Sequence, residues 1–490
     1  MSTFFENSFF LFRFSIYWNV QKANRQILNL REEAIMQPDT GFESHTLSEA
    51  EAYLNSIPRF SSQKHSAEDL RAMLDLLEAR LPDDKVIHVA GTNGKGSVCA
   101  FLDSILRTAG KTTAVFTSPH LVKITERFAF NGVPVSDETF LSAYRTVRRA
   151  EPDFALRGWT VPTYFETIFL IFAVLVRQFP TDWIILETGL GGRLDATNCV
   201  EYPRLTVITS ISFDHMQYLG NTIPEIAGEK AGIMKPGVPL VHDDTDPEAS
   251  EVFRRRAEEL SCRRIPVGTE DLSDLRLTET GLSYLCRPLS LTRASEMEAA
   301  PPLMKFELPF RAHYQGVNSL LAVRAAELLG FSYEVIREGL AGAAWPGRME
   351  EIAPGVFADG AHNEGGIRAF CEAASGIRDF RKAEEVTLIF EVSSDKQYTE
   401  MLSCIAERLK PDRLILCSMK SYRALSTETL LAAAERVFPA GCGTELTVIP
   451  SLEEAFRGAL DTKKPGGLLF IAGSLYLVGE LQAMLRGEAH

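Results

Sequence analysis

One stretch restricts the fold of this chain more than any other: HVAGTNGKGS at 88–97. A β-branched run at 86–90 leads into it, and afterwards Val98, Phe101, Leu102, Ile105 and Leu106 recur at helical spacing until Gly110 ends the helix. Another strand is expected at 112–116, so the segment reads as one βαβ unit with a glycine-rich turn after its first strand. In that setting Gly91, Thr92, Asn93, Gly94, Lys95, Gly96 and Ser97 form a phosphate loop. Successive glycines let backbone N–H groups wrap a phosphate, the helix N-terminus adds partial positive charge, and Lys95 reaches the β and γ phosphates. The stretch departs from the usual pattern, with Val89 in place of Gly, Gly96 in place of Ser or Thr, and Ser97 one position late. A tight turn carrying a solvated lysine would need neither flanking element.

Beyond this unit, short β-branched runs continue to alternate with helical stretches, which argues an α/β architecture with a mainly parallel sheet. Strands are expected at 183–186, 206–211 and 238–241, with helices near 163–179, 224–234 and 247–260. Residues 272–310 break the rhythm with short, Pro-interrupted pieces that suggest antiparallel excursions and a flexible stretch around 295–302. Helices return at 318–329 and 333–340, and the Gly- and Ala-rich segment 339–347 reads as a linker. After it come strands at 356–359, 386–392, 413–417, 446–449 and 468–472. The expected division is an extension over 1–40, a phosphate-loop domain over 41–343 with its boundary near Ala343, and a smaller Rossmann-like α/β domain over 344–490.

Composition narrows the function. The 490 residues suffice for two to four domains at about 150 each, and 45% apolar with 24% charged residues is ordinary globular protein. Lys and Arg number 51 against 65 Asp and Glu; the net charge of −14 disfavours a chain built to grip nucleic acid or an anionic membrane. An anionic substrate must therefore meet local positive charge. The eight cysteines show no two-residue separation of the zinc-knuckle or redox kind, which fits a reducing cytoplasm. Residues 1–20 hold eight aromatics interrupted by Glu6 and Arg13 and match no signal peptide, so an upstream extension with the working start at Met36 is preferred to an amphipathic appendage. The longest apolar run elsewhere, nine residues at 168–176, reads as a buried helix rather than a membrane span.

Strand ends carry the remaining chemistry. Thr117, Ser118, Pro119 and His120 end the second strand, at the carboxyl edge where ligands of open α/β sheets bind. The Ser118 hydroxyl is a possible magnesium ligand, or Ser-Pro a plain turn, and Glu126–Gly132 would be a mobile loop. Glu187 closes the strand at 183–186 before a glycine-rich bend, well placed to hold magnesium. Arg193 and Asp195 in that bend are equally an internal ion pair or site residues. Asp214 and His215 follow the strand at 206–211, so Ser118, Glu187 and His215 converge on one edge. Glu229 and Lys230 sit on the next helix, where a lysine is ordinarily solvated. In the second domain Arg348 follows the linker, and Asp359, Gly360, Ala361, His362 and Asn363 end its first strand, with Asn363 a natural N-cap. Two sets of strand ends in two domains suggest one shared cleft.

These residues resemble the folylpolyglutamate synthase and dihydrofolate synthase family of the Mur ligase group. The matching pieces run in family order: HVAGTNGKGS at 88–97, TSPHL at 117–121, ETGLGGRLDATN at 187–198, SFDHMQYLG at 212–220, EKAGIMKPG at 229–237, PGRME at 346–350, DGAHN at 359–363 and GSLYLVGE at 473–480. The GKGS form of the loop separates this branch from the peptidoglycan ligases. Glu364 stands where the family often has Pro, and Glu391, Val392, Ser393, Ser394, Asp395, Lys396 and Gln397 replace the usual glycine-containing DKD segment.

The resemblance implies an ATP- and Mg2+-dependent amide ligase that activates the γ-carboxylate of a folate, or dihydropteroate, as an acyl phosphate and joins it to L-glutamate. It implies that Lys95 holds the ATP phosphates, that Ser118, Glu187 and His215 serve magnesium, and that Lys230 is carbamylated and so becomes an anionic ligand. Asn318 would lie near the nucleotide base, Arg348 and Asp359 would contact nucleotide from the second domain, and His362 would lie near the incoming glutamate. A cytoplasmic monomer is expected. Another amino acid ligase of the group, a small-molecule kinase and a non-catalytic nucleotide-binding regulator are the competing readings.

Overall fold

The computed structural model describes residues 46–58, 65–289, 302–419 and 424–487. The expected extension 1–40 lies outside them, as does the stretch 295–302 except for its last residue.

The first sheet has eight strands: β1 (Val86–Ala90), β2 (Thr113–Phe116), β3 (Phe128–Phe130), β4 (Val133–Pro134), β5 (Trp183–Glu187), β6 (Leu205–Ile208), β7 (Leu240–Asp243) and β8 (Arg264–Val267). Their spatial order is β4-β3-β2-β5-β1-β6-β7-β8, parallel from β2 to β8. Strands β1, β5 and β6 are almost wholly buried because helices cover both faces, which is why they read as apolar runs without alternation. On one face the helix Tyr164–Gln178 is buried from Tyr164 to Val176 save for Phe165, as its apolar run requires. On the other lie Lys95–Thr108 and Tyr314–Leu328. No helix among the described residues is long and apolar enough to cross a membrane.

The irregular segment forms a three-stranded antiparallel sheet of β9 (Ser273–Leu277), β10 (Leu282–Cys286) and β11 (Met304–Leu308), matching the expected excursions. The last sheet has six strands: β12 (Glu350–Ala353), β13 (Val356–Ala358), β14 (Val386–Phe390), β15 (Arg413–Ser418), β16 (Glu445–Ser451) and β17 (Leu468–Ala472). Its order is β12-β13-β17-β14-β15-β16, parallel except for the β12–β13 hairpin.

Two expectations need correction. Glu126–Gly132 is not a loop: Glu126 accepts from the backbone N–H of Leu121, Val122 and Lys123, and β3 then pairs with β2, burying Phe128. The second α/β sheet begins in sequence not at Val356 but at β12, whose acidic, half-exposed sequence carries no strand periodicity and is held by its hairpin partner.

Candidate functional site

Parallel strands of the first sheet point their carboxyl ends the same way, so the turns after β1, β2, β5, β6 and β7 gather along one edge. The turn after β13 and the start of the helix Leu475–Arg486 face that edge across a cleft of about 1360 Å³. The residues to which the resemblance gives roles line it: the loop 91–97, Ser118, Glu187, His215, Lys230, Asn318, Arg348, Asp359 and His362, whereas Arg193, Glu229 and Asn363 are not among its lining residues. Lys95, Arg127, Lys230, Arg348 and Arg368 lie on these walls among a larger number of carboxylates, so positive charge is confined to particular points of the cleft, such as the phosphate loop with Lys95 and the opposite wall with Arg348, rather than spread over it.

The phosphate loop is shaped by close contact. Gly91 (φ +147°) and Gly94 (φ +91°) adopt backbone conformations that favour glycine, and a Cβ would fall 1.8 Å from Thr209 Oγ1 and 2.3 Å from Asn318 Oδ1 respectively. Lys95 Nζ folds back to donate to the Gly91 and Thr92 carbonyls at 3.0 and 3.1 Å. Ser97 is buried and its Oγ accepts from Gln315 Nε2, so the displaced hydroxyl serves packing between helices.

Glu187 is buried and accepts from the Ser118 N–H at 3.0 Å. Burial pushes its carboxyl up, while Lys95, that N–H, Arg348 and Arg127 pull it down. Lys230, 3% exposed, is not the solvated lysine that helical position suggests: Nζ donates to the Gly91 carbonyl at 2.9 Å. Burial, helped by Lys95, lowers it to about 7. His215 has φ +50° and sits where burial lowers its imidazole and Asp214 partly restores it.

Magnesium takes hard oxygen ligands and keeps water or phosphate oxygens in its shell. Among the described residues no three His, Cys, Asp or Glu side chains form a metal cage. The Glu187 carboxylate and Ser118 hydroxyl beside the phosphate loop nevertheless fit an ion that completes its shell from a nucleotide, and they are the residues that would hold it.

The second domain contributes Asp359, which accepts from Tyr314 Oη at 2.6 Å and from the N–H groups of Met349 and Ala361. His362 Nδ1 lies 2.8 Å from the Gly360 carbonyl, which places the proton on Nδ1 and leaves Nε2 an acceptor, 3.9 Å from Asp214 Oδ2. Burial lowers this imidazole to about 4. Asn363 caps the helix Glu364–Arg381 as expected, accepting from the Gly366 N–H.

Arg193 and Asp195 are not paired. Arg193 bonds Glu229 at 2.7 Å, while Asp195 accepts from the N–H groups of Gly189, Leu190 and Thr197, holding the glycine-rich bend. Residues that carried no assignment also belong to the cleft or brace it: Arg127, Tyr314 and Lys396, the last bonding Asp214 at 2.7 Å. Lys396 lies in the altered DKD-like segment, the only local hint of its position.

A phosphate-loop domain and a second α/β domain closing on the same cleft define a ligase of the Mur type. The model of the "Mur ligase, glutamate ligase domain" matches residues 347–475. A dihydrofolate synthase/folylpolyglutamate synthase of Bacillus subtilis is 36% identical over 432 residues, covering 84% of this chain and 93% of that protein. The structure of a Mycobacterium tuberculosis folylpolyglutamate synthase complexed with ADP superposes with a TM-score of 0.78 at 26% identity, covering 89% of this chain and 98% of the other. That of a bifunctional folylpolyglutamate synthase/dihydrofolate synthase from Yersinia pestis, complexed with AMPPNP and a Mn ion, gives 0.73 at 27% identity over 92% and 100%. The chain belongs to the folylpolyglutamate synthase/dihydrofolate synthase family.

Proposed function

We propose that the chain is an ATP-dependent amide ligase that adds L-glutamate to the γ-carboxylate of a reduced folate, with dihydropteroate as a second acyl substrate. The observation that carries this is the single cleft in which the phosphate loop, Ser118 and Glu187 of one domain face Arg348, Asp359 and His362 of the other.

A carboxylate resists amines because its carbonyl carbon is electron-rich; phosphorylation gives it a leaving group. Lys95, released from the Gly91 and Thr92 carbonyls, offsets charge on the transferring phosphoryl, and Arg348 and Asp359 hold the nucleotide from the second domain while Asn318 borders its base. Magnesium, when bound, neutralises phosphate charge; Glu187, Ser118, His215 and the carbamate of Lys230 are assigned to it. A lysine held near pH 7 presents enough neutral amine to attack carbon dioxide, forming the N–C bond and releasing one proton. His362 Nε2 orients the attacking amine, a role suited to an imidazole whose low basicity keeps it uncharged. Closure of the two domains excludes water from the acyl phosphate. We place the chain in the cytoplasm, as a monomer divided near Ala343.

The test is ATP turnover by purified protein with tetrahydrofolate, dihydropteroate or UDP-linked acceptors, each with and without glutamate. ADP release that requires a folate-type acid and glutamate together is expected; equal release without either, or with UDP-linked acceptors alone, rejects the reading.

A further inference from the structure

Gly96 lies within the helix Lys95–Thr108 and does not have a positive φ, so its backbone conformation does not require glycine. In such a place glycine costs about 1 kcal/mol relative to alanine. The reason for it is spatial. A Cβ on Gly96 would lie 2.7 Å from Cζ2, 2.9 Å from Cε2 and 3.0 Å from Nε1 of Trp345. The indole is a rigid, partly buried plate packed against the core beneath the first sheet, so it yields less readily than a flexible side chain would.

Trp345 also begins the connection between the domains. Gly347 and Met349, at φ +70° and +49°, turn the chain. The Gly347 carbonyl accepts from Gly360 at 2.9 Å, and the Met349 N–H donates to Asp359. Between them Arg348 enters the cleft. Within a few residues the connection is thus fixed at one end to the phosphate loop and at the other to the strand end that carries Asp359.

We propose that Trp345 is a positioning residue that couples the phosphate loop to the interdomain hinge, so that seating the ATP phosphates and bringing Arg348 and Asp359 onto the nucleotide are one motion. This rests on reading the loop as an ATP site. The indole replaces the side chain that the usual phosphate-loop pattern carries after its lysine. Movement of Lys95–Ser97 around a phosphate therefore presses on the first residue of the hinge.

The test compares wild type, Gly96→Ala, Trp345→Ala and the double variant by calorimetric Mg-ATP binding and steady-state turnover. Gly96→Ala is expected to weaken ATP binding at least tenfold. Trp345→Ala should raise KM for ATP several-fold with a smaller change in kcat, and the double variant should recover most of the affinity lost in Gly96→Ala. Strictly additive losses, or a Trp345→Ala variant that melts lower yet keeps the wild-type KM for ATP, overturn the coupling. In the full chain with Trp18, Trp159 and Trp183 changed to Phe, Trp345 emission should shift with Mg-ATP and saturate at the concentration that saturates binding; an unchanged spectrum on a chain that binds ATP overturns this proposal alone. Wild type that binds no ATP overturns the ATP reading and the coupling together.

Discussion

Asn93 of the phosphate loop and Asn363 of the second domain bond each other reciprocally, each amide nitrogen donating to the other's Oδ1 at 3.1 Å. Asn363 Nδ2 also donates to Asp214 at 2.9 Å, and its Oδ1 caps the helix Glu364–Arg381. One side chain therefore ends a helix and joins two domains.

These duties separate by substitution. Asn363→Ser retains a capping oxygen but loses both donations and with them the reciprocal pair with Asn93, whereas Asn363→Ala loses all four hydrogen bonds. The cap is worth about 1 kcal/mol, and a hydrogen bond to a charged group such as Asp214 about 1.5–3 kcal/mol. Asn363→Ser should melt nearer wild type than Asn363→Ala does, yet lose roughly tenfold or more in kcat/KM. Thermal melts and ADP-release kinetics read the two effects; a serine variant with full activity would show that the interdomain pair does not matter.

The ion pair of Lys396 with Asp214, both about nine-tenths buried, is the second clasp. Lys396→Met leaves a buried carboxylate without its cation and should cost about 3–5 kcal/mol, much of it restored by adding Asp214→Asn. Burial alone would raise the Asp214 carboxyl, but Lys396, His215 and His362 outweigh it and hold it well below the usual range. A depressed carboxyl contributes fully above its unfolded value of about 3.9 and loses that contribution as pH falls below it. The melting-temperature gap between wild type and the double variant should therefore narrow between about pH 5 and pH 3. A gap constant across that window contradicts the assignment.

Much of this architecture is legible in the sequence, for local reasons. The βαβ unit around Lys95 announces itself because strand, glycines and helix are contiguous; Ser118, Glu187 and His215 are placed together because parallel strands of the first sheet put their ends on one edge, and Asp359 is placed at the end of a strand of the second sheet that faces it. What escaped depends on partners distant in sequence. Arg193 finds Glu229 rather than its neighbour Asp195, β3 exists through β2, and Gly96 is explained by an indole in the linker. Lys230 shows the same limit: nothing in a helical lysine tells that its helix end is folded against the Gly91 carbonyl.

Lys95 makes its two hydrogen bonds to loop carbonyls and supports no core. Lys95→Ala should accordingly keep the wild-type melting temperature while kcat/KM for ATP falls roughly 100-fold or more, the usual effect of removing one charge-stabilising donor. Near-normal turnover by the folded variant removes the phosphate assignment.

Lys230 is the residue whose chemistry must change for the site to work as proposed. As an ammonium it would bring a second cation beside Lys95, toward a metal; as a carbamate it offers oxygens of the kind magnesium prefers. Its lowered value favours the neutral amine as pH rises through about 7, so carbamate formation and activity should rise over the same interval and depend on dissolved carbon dioxide. Lys230→Ala should lose most ligase activity, by roughly 100-fold on the scale of a lost charge-stabilising ligand. Acetate should restore part of it by occupying the vacated ligand position. Lys230→Arg should not respond, since a bulky fixed cation fills the same space. Removing divalent metal with a chelator should abolish turnover in wild type and in the acetate-rescued variant alike, and restoring Mg2+ should recover both. A Lys230→Ala enzyme at the wild-type rate, or intact-mass and high-resolution density measurements showing an unmodified ammonium in active protein, would falsify the carbamate.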